Sequence, residues 1–317
     1  MKRYKLSTLI AILILLLVIF PLSFAIDSYW LSFMTLSVIY IIVASWLRAI
    51  MMVGQASFAQ AAFMGIGAYS STLLTIDLAF PFWVALLSSG TIVAISAFAI
   101  GFITLRLKGI YFFLASFAAG EIVLLAFAYW KDFFGGHSGI TNIPSPSIFL
   151  SSFGSYYLVA ALAAATVVLI YLWENSKLGI TSWAIRENQL LSESVGINIL
   201  KYQLLTFVIA CFFTGLTGSV YAHFMRFISP HSFTFSLMLS LLVWVVVGGK
   251  DHFIGPIAGV ITLRGIAEIL GGLSEYEMIL NSVILVLVIV FFPQGLVGIP
   301  ARFKTLFSIL GNFLKKK

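Results

Sequence analysis

Apolar residues run in long blocks along this chain, and short polar clusters separate them. Ten blocks reach or approach the roughly 20 residues that cross a bilayer as a helix. They are 8–26, 29–47, 53–76, 81–105, 109–130, 153–173, 203–224, 233–249, 253–273 and 277–292. None shows the strict two-residue alternation of a membrane barrel strand, so the spans are predicted to be helices. The last block is short; it crosses with little tilt or runs on into Phe292-Pro293-Gln294-Gly295.

One stretch breaks the pattern. Trp183 to Gln203 carries Arg186, Glu187, Glu193 and Lys201, with Asn188, Gln189 and Asn198 between them. Residues 186–195 contain no Gly or Pro, and Gly196 stands where a helix C-cap glycine would. Leu191 and Val195 are spaced i,i+4, which gives a small apolar knob on one side of a charged helix. Such a surface helix between two spans suits docking on a soluble partner. The plainer reading, a solvated loop, stays open at this level.

Composition decides the class. The 317 residues are 61% hydrophobic and 9% charged, and the mean hydropathy is +1.10. A soluble domain carries about 25% charged residues, so this is one polytopic all-α membrane domain covering 1–317. The net charge of +7 follows topology rather than nucleic-acid binding. With the N-terminus in the cytoplasm, 15 of the 18 basic residues fall on the inner side, among them Lys2, Arg48, Arg106, Lys177, Arg186 and the basic tail at 300–317. Only Lys131 and Arg226 fall outside, and Arg264 is left within a span. The bias predicts both termini in the cytoplasm, and it puts the 183–203 stretch there too. The first block has a second reading, a signal peptide with Ser23-Phe24-Ala25 at its end. Its length and the span that follows at once favour a membrane span.

The segment 131–152 is the longest outer loop. Gly135, Gly136, Gly139, Pro144 and Pro146 exclude a regular helix there. A lid or docking surface and a plain linker are both compatible with it.

Candidate chemistry is sparse. There is no G-x-x-x-x-G-K-[ST] loop for ATP, no H-E-x-x-H, and only one cysteine, Cys211, inside an apolar block. His137, His223, His231 and His252 are scattered, so no metal site and no cofactor are expected. An enzyme is disfavoured because no nucleophile–base set is present. Two Gly-rich segments remain. Val53 to Tyr69 holds Gln55, Ser57 and Gln60 among small residues, with Phe63, Gly65 and Gly67 following. It reads as a helix lining a translocation path, broken near Gly65-Ile66-Gly67, or as tight helix packing with satisfied amides. Val247 to Pro256 reads as a hairpin between spans. Three ionisable residues lie in spans: Glu121, Arg264 and Glu268. Arg264 and Glu268 are i,i+4 and can pair; Glu121 has no local partner and is a pathway candidate.

Taken in order, several stretches resemble a known family. They are Gly54 to Tyr69, Gly109-Ile110-Tyr111-Phe112 with Gly120-Glu121-Ile122, Gly135-Gly136 with Gly139-Ile140, Arg186-Glu187-Asn188 with Gly196-Ile197-Asn198, Gly215 to Ala222, and Gly248-Gly249 with Gly255-Pro256. The set is similar to permease subunits of branched-chain amino acid ABC importers, the LivM type, over roughly residues 30–300. The resemblance implies a type II-like importer permease in the plasma (cell inner) membrane. It implies two cytoplasmic ATP-binding subunits, a second related permease and an extracytoplasmic solute-binding protein as partners. It makes the 183–203 stretch the coupling helix, with Arg186, Glu187, Asn188, Leu191, Glu193 and Gly196 as its candidate contacts. One departure stands: Glu193-Ser194-Val195 leads directly to Gly196, where the broader importer loop has three residues before its glycine. Cargo stays open between branched-chain amino acids and urea, and an ion-coupled transporter using Glu121, Arg264 and Glu268 is the other class.

Overall fold

The structure, a computed structural model, describes residues 27–149 and 151–269. The predicted spans at 8–26 and 277–292 and the tail at 300–317 lie outside the described residues. Eleven helices are described. They are α1 (Ser28–Met51), α2 (Gln60–Ile76), α3 (Phe82–Thr104), α4 (Ile110–Tyr129), the single turn α5 (Lys131–Phe134), α6 (Ser152–Asn175), α7 (Lys177–Glu187), α8 (Gln189–Ser194), α9 (Ile199–Met225), α10 (Phe235–Gly248) and α11 (Gly255–Ile269). Two strands of two residues, β1 (Ile140–Thr141) and β2 (Phe227–Ile228), pair antiparallel. Among the described residues, six helices are long and apolar enough to cross a membrane: α1, α3, α4, α6, α9 and the run Pro230–Gly248 that includes α10.

The chain forms two compact units, one up to Leu239 and one from Ser240. In the first, α9 is the central post. It packs along α2, α3 and α1, and α1 packs in turn on α6. Small residues allow this. A Cβ on Gly67 would overlap the Gly215 carbonyl, and one on Gly218 would overlap the Met64 carbonyl. The α2 and α9 backbones therefore touch, which is how helices gain packing energy in lipid, where no hydrophobic force drives them together. Gly215 also faces Val93 of α3, and Gly90 of α3 faces Leu216. The faces of α3 and α4 turned away from α9 carry exposed Trp83, Leu87, Ile95, Ile103, Ile122 and Leu125.

The third predicted span needs correcting. It was expected to run through 53–76 with a break near Gly65-Ile66-Gly67. Instead α1 ends at Met51, the chain turns through Met52–Gly54, and α2 begins only at Gln60. The helix is continuous through Gly65 and Gly67. Those glycines serve contact with neighbours, while the break sits at Gly54, whose φ of +81° stops a helix. In the unwound stretch Gln55, Ser57, Phe58 and Ala59 are buried. Irregular backbone at membrane depth persists where protein surrounds it or a cavity borders it.

In the second unit, a Cβ on Gly248 would overlap the Gly255 carbonyl, and one on Gly259 the Trp244 carbonyl. The Val247–Pro256 segment is the hairpin that its sequence predicts. Arg264 and Glu268, both half-buried, lie one turn apart on α11.

Candidate functional site

The polar stretch folds as an arm of two helices rather than one. Ser176 caps α7, its hydroxyl accepting from the Gly179 amide at 3.4 Å. Asn188 then leaves helical geometry at φ −155°, ψ 104°. Its side-chain oxygen accepts from the Leu191 amide at 3.0 Å and so caps α8. Gly196, at φ +83°, ends α8, with the Gly196 amide donating to Glu193 and the Ile197 amide to Ser192. Asn198 caps α9 through the Lys201 amide at 3.1 Å. The predicted Gly196 stop is observed. The predicted single helix from 186 is split at Asn188, because an asparagine that can bond the amide three residues on competes with the helix.

The arm presents an apolar tip. Leu190, Leu191 and Val195 are 75%, 64% and 69% exposed. Leu190 adds to the knob foreseen from Leu191 and Val195. Glu187 and Glu193 are exposed beside it, Asn188 is exposed apart from its capping bond, and Arg186 lies with its guanidinium 5.0 Å from the Trp183 ring.

The root of the arm is fastened in two places. Arg48 at the end of α1 and Glu174 at the end of α6 form an ion pair at 2.5 Å, 1% and 4% exposed. Trp46 donates to Thr166 at 3.3 Å along the same seam. The second fastening is apolar: Ile185 of α7, Val53 of the turn and Ile199 of α9 form one buried cluster, with Trp173 and Tyr202 against it. A Cβ on Gly54 would lie 3.5 Å from the Arg186 Cα. Gln203 of α9 donates to the Val53 carbonyl at 3.5 Å. The arm thus rests on the turn that opens the unwound stretch.

That stretch leads to a crevice. The Phe58 amide donates to Ser116 Oγ of α4 at 3.0 Å, and the Phe58 ring lies 4.0 Å from that of Phe113. Gly120 keeps α4 close, since a Cβ there would be 3.5 Å from the Ala59 Cα. The crevice is lined by Phe58, Phe117, Glu121, Phe233, Thr234 and Phe235, with small residues of α2 behind them. Of the pathway candidates, Glu121 alone lines it. Gly65 borders its neighbourhood, facing the Phe127 and Phe233 rings at 3.2 Å from an added Cβ. Gln55, Ser57, Gln60, Phe63 and Gly67 are packed inside. Gln60 donates to Thr214, and Phe63 packs edge-on against Phe207 at 5.5 Å. Their side chains hold α2 on α9.

At the far end, the 131–152 loop is fastened to α9. Through Nδ1, His223 meets the Pro144 carbonyl at 2.6 Å, and through Nε2 it meets Ser71 Oγ at 3.0 Å. Ser219 donates to Ser71 at 2.6 Å. One proton order satisfies all three bonds: Ser219 to Ser71, Ser71 to Nε2, and Nδ1 to Pro144. Ser145 donates to the His223 carbonyl at 2.7 Å, and Arg226 Nε donates to Ser145 at 2.9 Å. His137 and His231 lie side by side at 6.0 Å between ring centroids. No group of three or more metal-binding side chains occurs among the described residues.

Sequence reasoning missed the Arg48–Glu174 pair and the role of His223. The first had a signal: opposite charges at the ends of two spans that topology puts on one side. The second had none, since nothing in the local sequence links His223 to Pro144.

Comparison with known proteins agrees with this architecture. Residues 29–293 match the model of a family described as branched-chain amino acid transport system / permease component. The Escherichia coli (strain K12) protein named high-affinity branched-chain amino acid transport system permease protein LivM is 30% identical over 290 residues, covering 83% of this chain and 68% of that protein. LivH of the same strain, also named a high-affinity branched-chain amino acid transport system permease, is 29% identical over 143 residues, 44% of each chain. A probable branched-chain amino acid transport permease LivH of Methanocaldococcus jannaschii is 26% identical over 157 residues, 46% of this chain and 48% of that one. No solved structure matches.

Proposed function

Since the chain belongs to the branched-chain amino acid transport permease family, we propose that it is the membrane subunit of an ATP-driven importer for branched-chain amino acids. It is a transport subunit, not an enzyme, and ATP is hydrolysed by two cytoplasmic subunits, one of which docks on the α7–α8 arm. A second, related permease completes the pathway, and an extracytoplasmic binding protein delivers the cargo. The protein spans the plasma membrane many times, with the arm and both termini on the cytoplasmic side.

The observation that carries this reading is the arm's tip. Leu190, Leu191 and Val195 stand exposed among Glu187, Asn188 and Glu193, at the end of two long apolar helices. A chain with no nucleotide loop of its own needs a docking point, and exposed leucines on a polar helix supply one. ATP-driven closure of the partners displaces the arm. Because Ile185 shares a buried cluster with Val53, the displacement passes to the unwound stretch, and the path faces one side of the membrane and then the other. Glu121 and Gly65 border that path. Arg264 and Glu268 form an intramembrane pair.

Reconstitution tests it. The purified permease pair, ATPases and binding protein in proteoliposomes take up leucine only with ATP inside the reaction. Charge reversal at Arg186 together with Glu193 removes uptake and leaves ATP hydrolysis running and the fold intact. Unchanged uptake rejects the docking assignment; uptake that survives without ATP and collapses with an ionophore rejects the importer class.

A further inference from the structure

We infer that the crevice beside Glu121 is a subsite for the ammonium group of an aliphatic amino acid on its way through the membrane. The inference rests on the transport reading above and deepens it.

Three observations converge. First, Glu121 is half-buried on a long apolar helix, and its carboxylate has no hydrogen-bond or ion-pair partner among the described residues. A carboxylate in apolar surroundings is costly to keep without a counter-charge, and such groups mark substrate and ion pathways. Secondly, the walls around it are aromatic: Phe58, Phe117, Phe233 and Phe235. Phe117 and Phe235 meet edge to face at 5.3 Å, and Phe58 lies 6.3 Å from Phe235. Ring faces are negative, so they attract a cation and repel an anion. A carboxylate in a crevice walled by aromatic rings is thus matched to a positive ligand rather than a negative one.

Thirdly, the oxygen supply identifies the kind of cation. Glu121 and the Thr234 hydroxyl are the side-chain oxygens lining the crevice. A hard metal ion takes about six oxygen ligands and would be under-coordinated here. An ammonium needs only a few acceptors and takes little more room than a water molecule, which is what the crevice offers. The subsite also has a moving wall. Phe58 belongs to the unwound stretch that begins at the arm's footing on Val53 and Gly54. A shift of that stretch changes the crevice on the side where Phe58 closes it.

The test uses the whole complex in proteoliposomes, with radiolabelled leucine as probe. Two readouts are taken together: ATP-dependent uptake, and ATP hydrolysis stimulated by leucine-loaded binding protein. Glu121→Gln keeps the size and removes the charge. It is expected to slow uptake by about tenfold, the effect of one charge contact on a transport barrier, while stimulated hydrolysis stays within about twofold of the parent. Glu121→Asp restores most of the uptake. Phe117→Leu keeps an apolar side chain and removes the ring, and it slows uptake in the same direction. Uptake by Glu121→Gln equal to the parent overturns the inference. So does joint loss of uptake and stimulated hydrolysis in Glu121→Gln, which makes Glu121 a structural residue. A parent complex that hydrolyses ATP but moves no leucine overturns the importer reading itself.

Discussion

Arg48 and Glu174 end two different helices and meet at 2.5 Å, both cut off from the surroundings. The pair stands directly before Ser176, where α6 gives way to the arm. Removing one member strands the other charge in a dry interior, which costs about 3–5 kcal/mol. Arg48→Met and Glu174→Leu singly are expected to lower the melting temperature and the yield of the detergent-extracted protein. The double variant, which buries no charge, recovers most of the loss. A double variant as unstable as the sum of the singles contradicts this.

The contact of Gly67 with Gly215 is tighter than that of Gly65 with the Phe127 and Phe233 rings. Gly67→Ala must push backbones apart, at a cost of about 1–3 kcal/mol. Gly65→Ala asks two rings to give by a few tenths of an ångström. Thermal unfolding of the two variants therefore ranks Gly67→Ala well below Gly65→Ala, and equal losses would show that α2 does not press on α9.

Leu191 is 64% exposed and touches little of its own chain. Leu191→Asp should leave the melting temperature within about a degree or two, as surface changes do. Binding of the ATPase subunits, measured by co-purification, should fall by about tenfold or more if the tip is the docking centre proposed above, since a charge then replaces an apolar anchor. Asn188→Ala acts on the same tip by another route, removing a cap worth about 1 kcal/mol.

The His223 bonds to Ser71 and Pro144 tie the 131–152 loop to α9. His223→Ala frees the buried Ser71 hydroxyl and the Pro144 carbonyl of an exposed residue, and the loss at the buried partner costs about 1–3 kcal/mol. Hydrogen exchange at residues 140–146 should rise strongly, while exchange along α1 and α6 stays as it was. An unchanged loop would mean that the β1–β2 pairing and the Ser145 bonds to the His223 carbonyl and Arg226 hold it without the imidazole.

An added Cβ on Gly54 lies 3.9 Å from the Arg186 Cβ, close to the spacing of about 3.8 Å found in disulfides. Gly54→Cys with Arg186→Cys is expected to cross-link under mild oxidation, at some cost in stability because residue 54 sits at φ +81°, and Cys211, being buried, is a poor competitor. If arm and turn move as one body, the oxidised form takes up leucine as fast as the reduced form of the same variant. Blocked uptake that returns on reduction would show instead that the arm slides over the turn.

Most of the long helices were legible because hydropathy alone decides them: a run of apolar residues in lipid has few structures open to it. The boundaries that failed were set by contacts between distant segments. Gln55 to Ala59 has nothing in its composition that forbids a helix. It unwinds because Gly54 turns left-handed and Ser116, 58 residues away from Phe58, takes the Phe58 amide. Asn188 could be read as a cap or as a helix interior, and only the observed bond to Leu191 decides. The pathway candidates split for the same reason. Gln60 and Gly67 looked open to a path by type, yet α9 supplies Thr214 and Gly215 to cover them. Glu121, which lines the crevice, stands out in the sequence because a carboxylate in an apolar helix is conspicuous without any neighbour.

On the proposed coupling, the unwound stretch fixes how far a push on the arm can travel. Beyond Gln60, α2 is locked to α9 by backbone contact and by the Thr214 bond. Before Gly54, the chain is seated on Ile185. Only Gln55 to Ala59 lies between, and five residues without a helical ladder can swivel without breaking one. On the proposed coupling the stroke is spent there, on Phe58, while α2 and α9 hold still. A permease driven in that way would open over a short, local distance rather than by a wholesale tilting of its helices.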